Sequence, residues 1–394
     1  MTRRCVEKFK IFKKRGAFKV IYLDYAATTP MDEVALDVFV KASRKYYGNP
    51  SSLHNIGSEA NTVLDVCRGE IAKLINGQAE GVYFTSGGSQ SNILAIRSLV
   101  DGNSAKGNHL ITTEVEHSSV YNVFQMLEAE GYDVTYLPID SSGKINIKHL
   151  KEAIREDTIL ASIHHGNSEI GTIQSLEEIG QLLKKKDILF HTDCVQTFGK
   201  VSIDLEACHI DSLSLSSHKI YGPKGVGACY IRPEIRWTMQ VTGTTHEKGL
   251  TPGTVNVPGI LAFTTAAQQM TKRMKENELK CHELRKRFIK GLTQIDHDIC
   301  VYGHLNSQLP SIIGLTVAGV QGQYVMLEFN RYGIAISTGS ACQVGQQNPS
   351  RTMLSMGKNA DEAKQFIRIS LGSSTEVEHI DKLLQTLKMV VNKI

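Results

Sequence analysis

From Val82 to Ser216 the chain alternates short apolar or β-branched runs with segments of helical period, and no other property restricts the fold as much. VYFT (82–85), HLITTEV (109–115), DVTYLPI (133–139), TILASIHH (158–165) and DILFHTD (187–193) read as strands. ILAIRSLV, SSVYNVFQMLEAEG, HLKEAIRE and LEEIGQLLKKK read as the helices between them. Strands joined through helices of about ten residues imply right-handed crossovers and a mostly parallel sheet, hence an α/β fold. In such a sheet ligands collect beyond the carboxyl ends of the strands, so polar residues there deserve the closest reading.

Three segments flank this region. Val20–Asp24 (VIYLD) reads as a first short strand, GNPSSLHNIG (48–57) as a polar loop, and Ser58–Leu74 as a helix. After the turn-rich HEKGLTPGTVNVPG (246–259) the texture changes. Ile260–Ile295 is a long helical stretch whose Ala266, Met270, Met274, Leu284, Phe288 and Leu292 form an apolar stripe suited to a core. SIIGLTVAG and GIAIST then read as strands, and EHIDKLLQTLKMVVNK as a closing helix. The expected organisation is a basic arm (1–19), a large domain (20–259) and a smaller α+β domain (260–394).

Charge and cysteine usage limit the function classes. The chain's net charge of +4 is misleading, because residues 1–19 hold eight basic side chains against Glu7 alone and leave the body net acidic. A basic arm can bind nucleic acid or anionic surfaces, or serve as a transit peptide. It has no serine and one threonine, which argues against the last. The reading we favour is upstream sequence translated from an earlier start, which the intact mass of the natively expressed protein would decide. The acidic body argues against nucleic acid as a partner. No apolar run approaches the roughly 18 residues of a membrane span. The eight cysteines include no CxxC pair. With no secretory signal, they point to a reducing cytoplasm and away from a disulfide framework or zinc site.

The chemistry concentrates in a few stretches. In DSLSLSSHKIYGPKGVG (211–227) the period-2 pattern of Ser212, Ser214 and Ser216 fades at His218 and Lys219, and Gly222, Pro223, Gly225 and Gly227 follow. Lys219 therefore sits where a strand meets a glycine-rich turn, and a partly desolvated lysine there can attack a carbonyl to form a Schiff base. Taken alone, it reads more readily as a solvated loop lysine. SGGSQSN (86–92) lets the backbone of a helix start approach a phosphate, although it is neither a P-loop nor a GxGxxG motif. Asp193 ends a strand in HTDCVQ, where it either caps the next turn or holds the ring nitrogen of pyridoxal phosphate. His117 ends TTEVEH, as a core histidine or a stacking proton carrier. A lysine, a phosphate loop, an aspartate and a histidine at strand ends of one sheet form a pyridoxal-phosphate set. Cys342 lies in the Gly/Ser/Gln-rich ISTGSACQVGQQNPS (336–350), a setting that suits an accessible nucleophile, while the other seven cysteines read as structural.

The ordered motifs YLDYAATTP, GNPSS, TSGGSQSN, EVEH, HGNSEIG, HTDCVQTFGK, SSHKIYGPKG, PGT, STGSAC and IRISLG, from about Tyr22 to Gly372, resemble those of the NifS-like cysteine desulfurases. These are class V members of fold type I of the pyridoxal-phosphate enzymes, and the QQNPS segment resembles the longer-looped NifS and IscS kind. The resemblance implies that Lys219 carries the cofactor, His117 stacks on its ring and assists proton transfer, Asp193 pairs with the ring nitrogen, and Gln196 touches the ring hydroxyl. It implies a phosphate site of Gly88, Ser89, Ser216 and His218, completed by Thr254 from the neighbouring subunit of a homodimer. Arg368 would take the substrate carboxylate, with Asn49 and Asn167 lining the pocket. L-cysteine would be converted to L-alanine, and its sulfur would pass as a Cys342 persulfide to an acceptor protein for iron–sulfur assembly or thiolation. No resident metal is implied, though Cys342 would be placed to ligate a nascent iron–sulfur cluster transiently. Two positions depart from the family pattern: Ser168 stands where asparagine is usual, and Thr251 where arginine is usual. The alternatives are a selenocysteine lyase or other class V enzyme, and a non-catalytic pyridoxal-phosphate protein, which the intact Lys219 and Cys342 oppose.

Overall fold

The computed structural model describes residues 20–243, 245–339 and 349–393. Its larger body is built on β2 (Val82–Thr85), β3 (His109–Thr113), β4 (Asp133–Leu137), β5 (Thr158–Ser162), β6 (Leu189–Asp193), β7 (Ser212–Ser216) and β8 (Gly227–Ile231), following a short β1 (Ile21–Tyr22). The seven strands form one sheet in the order β2-β8-β7-β6-β5-β3-β4. All pairings are parallel except those of β8, which runs antiparallel to β2 and β7. β3, β5, β6 and β7 are buried along their whole length, as strands covered on both faces must be.

Helices supply the two covers, and the last of those named here enters the smaller body's core. In chain order they are α1 (Glu33–Lys45), α2 (Asn55–Leu74), α3 (Gly88–Asn103), α4 (Ser118–Ala129), α5 (Ile147–Ala153), α6 (Leu176–Lys184), α7 (Val257–Lys272) and α8 (Met274–Leu292). On one face Leu94 and Leu99 of α3 and Val120 and Phe124 of α4 pack with Leu110, Leu160 and Leu189 of the sheet. On the other, Leu64 and Ile71 of α2, Ile179 and Leu183 of α6, and Ile260 and Phe263 of α7 pack with Ile111, Phe190, Leu213 and Leu215.

The smaller body contains β9 (Ile299–Tyr302), β10 (Ile312–Val317), β11 (Ile334–Ala335) and β12 (Phe366–Ser370). β10 lies between β12 and β9, antiparallel to both. Leu284 and Phe288 of α8 pack with Leu315, Ile367, Ile369 and the C-terminal helix residues Leu383 and Leu387.

The α/β fold with a smaller α+β body agrees with the sequence reading, and four details differ. The expected helix from Ile260 to Ile295 is two helices, separated at Arg273, and they serve different cores. β1 pairs in parallel with β11, and Leu23 packs in the smaller core, although the strand was expected to open the large domain. The boundary expected at 259/260 therefore does not separate the cores, because packing partners are not set by chain order. Gly227 begins β8 instead of continuing a loop. A Cβ there would come within 2.7 Å of Gly87 Cα, so the glycine permits that close approach. Finally, Cys300 on β9 is exposed, whereas Cys67, Cys194, Cys229 and Cys281 are buried as expected.

Phe263 is fully buried where α7 closes the larger core. Phe263→Ala is expected to cost about 3–5 kcal/mol, against about 0.5 kcal/mol or less for Cys300→Ser. Chemical denaturation of the two variants checks this.

Candidate active site

The carboxyl ends of β2, β3, β5, β6 and β7 open onto one cleft of about 420 Å³, within the usual range for small-molecule sites. Gly88, Ser89, His117, Asn167, Asp193, Gln196, Ser216, His218, Lys219 and Arg368 all line it. Residues from distant parts of the chain thus meet in one crevice because each follows a strand end or reaches in from the smaller body.

Lys219 ends a tight turn directly after β7. Its Nζ donates to the carbonyl oxygens of Ala26 at 2.5 Å and Ala27 at 2.9 Å. Thr29 holds the same turn by bonding His218 O through both its N–H and its hydroxyl. Two residues beyond Lys219, Tyr221 is held at φ 66°, a left-handed conformation uncommon for a bulky side chain. Its N–H donates to Thr29 Oγ1 and its hydroxyl accepts from Ser373 N, so contacts on both sides hold this backbone. His218 shares a 3.1 Å hydrogen bond with Thr28 Oγ1. Burial, with Lys219, Lys224 and Lys200 nearby, pushes its pKa down to about 4.

Opposite this turn, α3 begins at Gly88 with Gly87 as its N-cap and no side chain on the cap. Gly87 has φ 152°, and a Cβ on Gly88 would lie 2.6 Å from Val195 Cγ2, so glycine is required where the helix start meets the cleft wall. The unfilled first turn of a helix, with its N–H groups facing a cleft, favours an anion.

Asp193 is fixed from two sides. Its Oδ1 accepts from Val195 N at 2.9 Å, and its Oδ2 from Asn92 Nδ2 at 2.8 Å. The same amide donates to Ser119 Oγ at 2.9 Å, and Ser119 Oγ lies 2.8 Å from His117 Nδ1. Ser119 N also donates to that ring nitrogen, which makes Nδ1 of His117 an acceptor and leaves a ring proton on Nε2. His191 closes the network from below, its Nε2 3.3 Å from Asn92 Oδ1. Sequence reasoning missed Asn92 and Ser119. The available signal was a polar residue at position 92 on the same helical face as the buried Ala95, Ile96 and Leu99.

Arg368 reaches the cleft from β12 with its side chain 2% exposed. It donates to Asp24 Oδ1 at 2.8 Å and Ser168 O at 3.0 Å. Ser168 thus contributes its carbonyl, while Asn167 Oδ1 accepts from the N–H groups of Glu169 and Ile170 and pins the turn. Asn49, by contrast, does not line this cleft: it is exposed and its Oδ1 caps Ser51 N, a local turn having claimed the side chain. Thr254 is exposed and also lies outside the chain's own cleft. Thr251 donates to Phe84 O at 3.2 Å and does not line it either. Cys342 falls outside the described residues. On either side of that segment, Ser337 pairs with Arg368 through the backbone, and Ser350 Oγ donates to Glu169 at 2.6 Å.

Ser216 Oγ, Gln196 Oε1 and Arg368 Nε are buried in this cleft without a hydrogen-bond partner among the described residues. Such orphaned groups, an open helix start, a fixed carboxylate and a lysine fit a phosphate-bearing aromatic aldehyde, and pyridoxal phosphate has that donor and acceptor pattern. The aminotransferase class-V family matches residues 21–383. The chain belongs to this family. It is 47% identical over 373 residues to a protein of Bacillus subtilis (strain 168) that bears the NifS name, covering 94% of both chains. It is 37% identical to the cysteine desulfurase IscS of Clostridium botulinum (strain Hall), with 95% of each covered. A solved NifS-like protein superposes with a TM-score of 0.89 at 31% identity, over 95% of this chain and all of the other.

Burial pushes the pKa values of His191 and His165 down to about 3, with His164 and Lys144 adding to the effect at His165. An unfolded histidine titrates near 6.5, so between roughly pH 3 and 6.5 the unfolded chain binds protons that these folded residues refuse. Their stabilising contribution is complete above about pH 6.5 and is lost as pH falls. From pH 7 to 5 each should cost about 2 kcal/mol of stability. In His191→Gln the slope of unfolding free energy against pH should fall by about one proton in this window, as denaturant titrations at several pH values would report.

Proposed function

We propose that this chain is a pyridoxal-phosphate-dependent cysteine desulfurase. The observation that carries the reading is the convergence of Lys219, Asp193, His117 and Arg368 on one cleft, in a chain whose relatives bear desulfurase names. The reaction is L-cysteine plus the Cys342 thiol giving L-alanine plus a Cys342 persulfide, with sulfur the only atom transferred between the carbon skeleton and the enzyme.

The cofactor would be held by Lys219, with its phosphate at Gly88, Ser89, Ser216 and His218 and its ring nitrogen at Asp193. When bound, it withdraws electrons from the substrate's α-carbon and so makes both the α-proton and the carbon–sulfur bond labile. Asn92 and Val195 N hold Asp193 in place as the anionic partner. His117, with Nδ1 fixed by Ser119, would offer its ring face for stacking and its Nε2 for proton exchange. Lys219, which donates to the Ala26 and Ala27 carbonyls here, would hold the cofactor, and its amine would carry the α-proton. Arg368, half engaged by Asp24 and Ser168 O, keeps Nε for the substrate carboxylate.

The exposure of Thr254 outside its own cleft supports a homodimer in which it serves the partner's phosphate site. The sulfur acceptor is a protein of the cytoplasm, and iron–sulfur assembly or thiolation is the destination. No helix among the described residues is long and apolar enough to cross a membrane. Thr251 removes a cation from the family pattern, and the effect is a slower enzyme with the same chemistry.

Purified protein given L-cysteine and a reductant should release sulfide and alanine in equal amounts. Cys342→Ala should abolish both, and Thr251→Arg should turn over faster. Arg368→Leu should raise KM by about 10–100-fold, the loss of a hydrogen bond to a charged group at about 1.5–3 kcal/mol. A protein that binds the cofactor and releases neither product from cysteine or selenocysteine would instead be the non-catalytic relative.

A further inference from the structure

Beyond the end of β5, His164 forms part of the cleft wall and is 4% exposed. Its Nδ1 lies 3.0 Å from Glu116 Oε1, and its backbone N–H donates to that oxygen at 2.9 Å. Thr113 Oγ1 donates to it as well, at 2.9 Å. The carboxylate oxygen is an acceptor for all three, so the Nδ1 position of His164 carries a proton. The opposite nitrogen, Nε2, is buried and has no hydrogen-bond partner among the described residues. Buried polar atoms in folded interiors are rarely left unpaired, and one on the wall of a cleft marks a contact that the cleft's occupant completes.

We propose that His164, backed by Glu116, is a second proton-holding residue of the cleft, whose Nε2 hydrogen-bonds the bound cofactor and exchanges a proton with it. The inference rests on the desulfurase reading above. The proton balance is simple: a protonated His164 gives up the Nε2 proton and keeps the Nδ1 proton on Glu116, so the dyad changes by one charge.

The charged and titratable groups around this ring are Glu116 and His117 beyond β3, Asp193 at the end of β6, and His165 next to it in the chain. Lys219 and Arg368 stand on the same cleft. Burial works against a charged ring, but Glu116, and then Asp193, outweigh it and raise the affinity of His164 for a proton. His165 is a control supplied by the chain itself: equally buried, but without a carboxylate partner, it is pushed down to about 3. Two adjacent histidines are thus driven in opposite directions, and the one whose proton affinity is raised is the one that lines the cleft.

The test uses full-length protein loaded with pyridoxal phosphate, with wild type, His164→Gln, His164→Leu and Glu116→Gln compared. Two quantities are read: the affinity for pyridoxal phosphate, and the pH titration of the bound cofactor's visible absorbance. His164→Leu should weaken cofactor binding about 10-fold or more, the loss of one charge-assisted hydrogen bond. His164→Gln, which keeps an amide donor without a titrating ring, should recover most of that affinity while its absorbance titration stays displaced from wild type. Glu116→Gln should displace the titration too, and it carries the test if His164→Leu does not fold. Affinities and titrations superimposable on wild type in the folded variants would overturn the proposal. A wild type that shows no visible absorbance with pyridoxal phosphate would overturn the functional reading itself.

Discussion

The cleft depends on the stretch from Leu23 to Thr29, which joins the two bodies and whose Ala26 and Ala27 carbonyls accept from the Lys219 amine. A half-buried amine must find acceptors, and these two lie on the short stretch that connects the molecule's two bodies. Leu23 just before it belongs to the smaller core, and Ala26 N donates to Ser370 Oγ at the end of β12. Thr29 just after it grips His218 in the larger body. The lysine is thus held where both bodies supply the wall, and Arg368 arrives from β12 at the same place, tied to Asp24.

The sheet supplies geometry and the polar network supplies chemistry. Five strand ends point the same way because the crossovers between them, helical except from β6 to β7, keep them parallel, and reversed β8 fills the gap between β7 and β2. The hydrogen bonds from Asp193 through Asn92 and Ser119 to His117 fix the orientation of four side chains at once. A fixed carboxylate and a fixed imidazole on one network need little reorganisation when charge develops beside them, the usual basis of electrostatic catalysis.

Much of this was legible in the chain. The strand–helix alternation gave the parallel sheet, and the residues at strand ends, Asp193, His117 and Lys219, gave the cleft. What stayed hidden depended on partners far away in sequence. Asn92 bonds a residue 101 positions on, so nothing local distinguishes it from a poorly placed asparagine in a helix. β8 was obscured by the glycines that precede it, residues that usually end strands but here allow Gly227 to pass against Gly87. The membership of Leu23 and α7 in their cores is a matter of packing across the chain, which periodicity does not report. Asn49 misled in the opposite direction, since its motif matched while its side chain caps a local turn.

On the proposed function Lys219 is the residue that takes the cofactor, and reductive trapping can show whether it does. Borohydride reduction of the pyridoxal-phosphate-loaded protein, followed by peptide mapping, should place the added pyridoxyl phosphate mass on the peptide containing Lys219. Prior exposure to L-cysteine should divert the label away from that peptide. Label on Lys200, Lys224 or another lysine, or none at all on a cofactor-bound protein, would contradict the account.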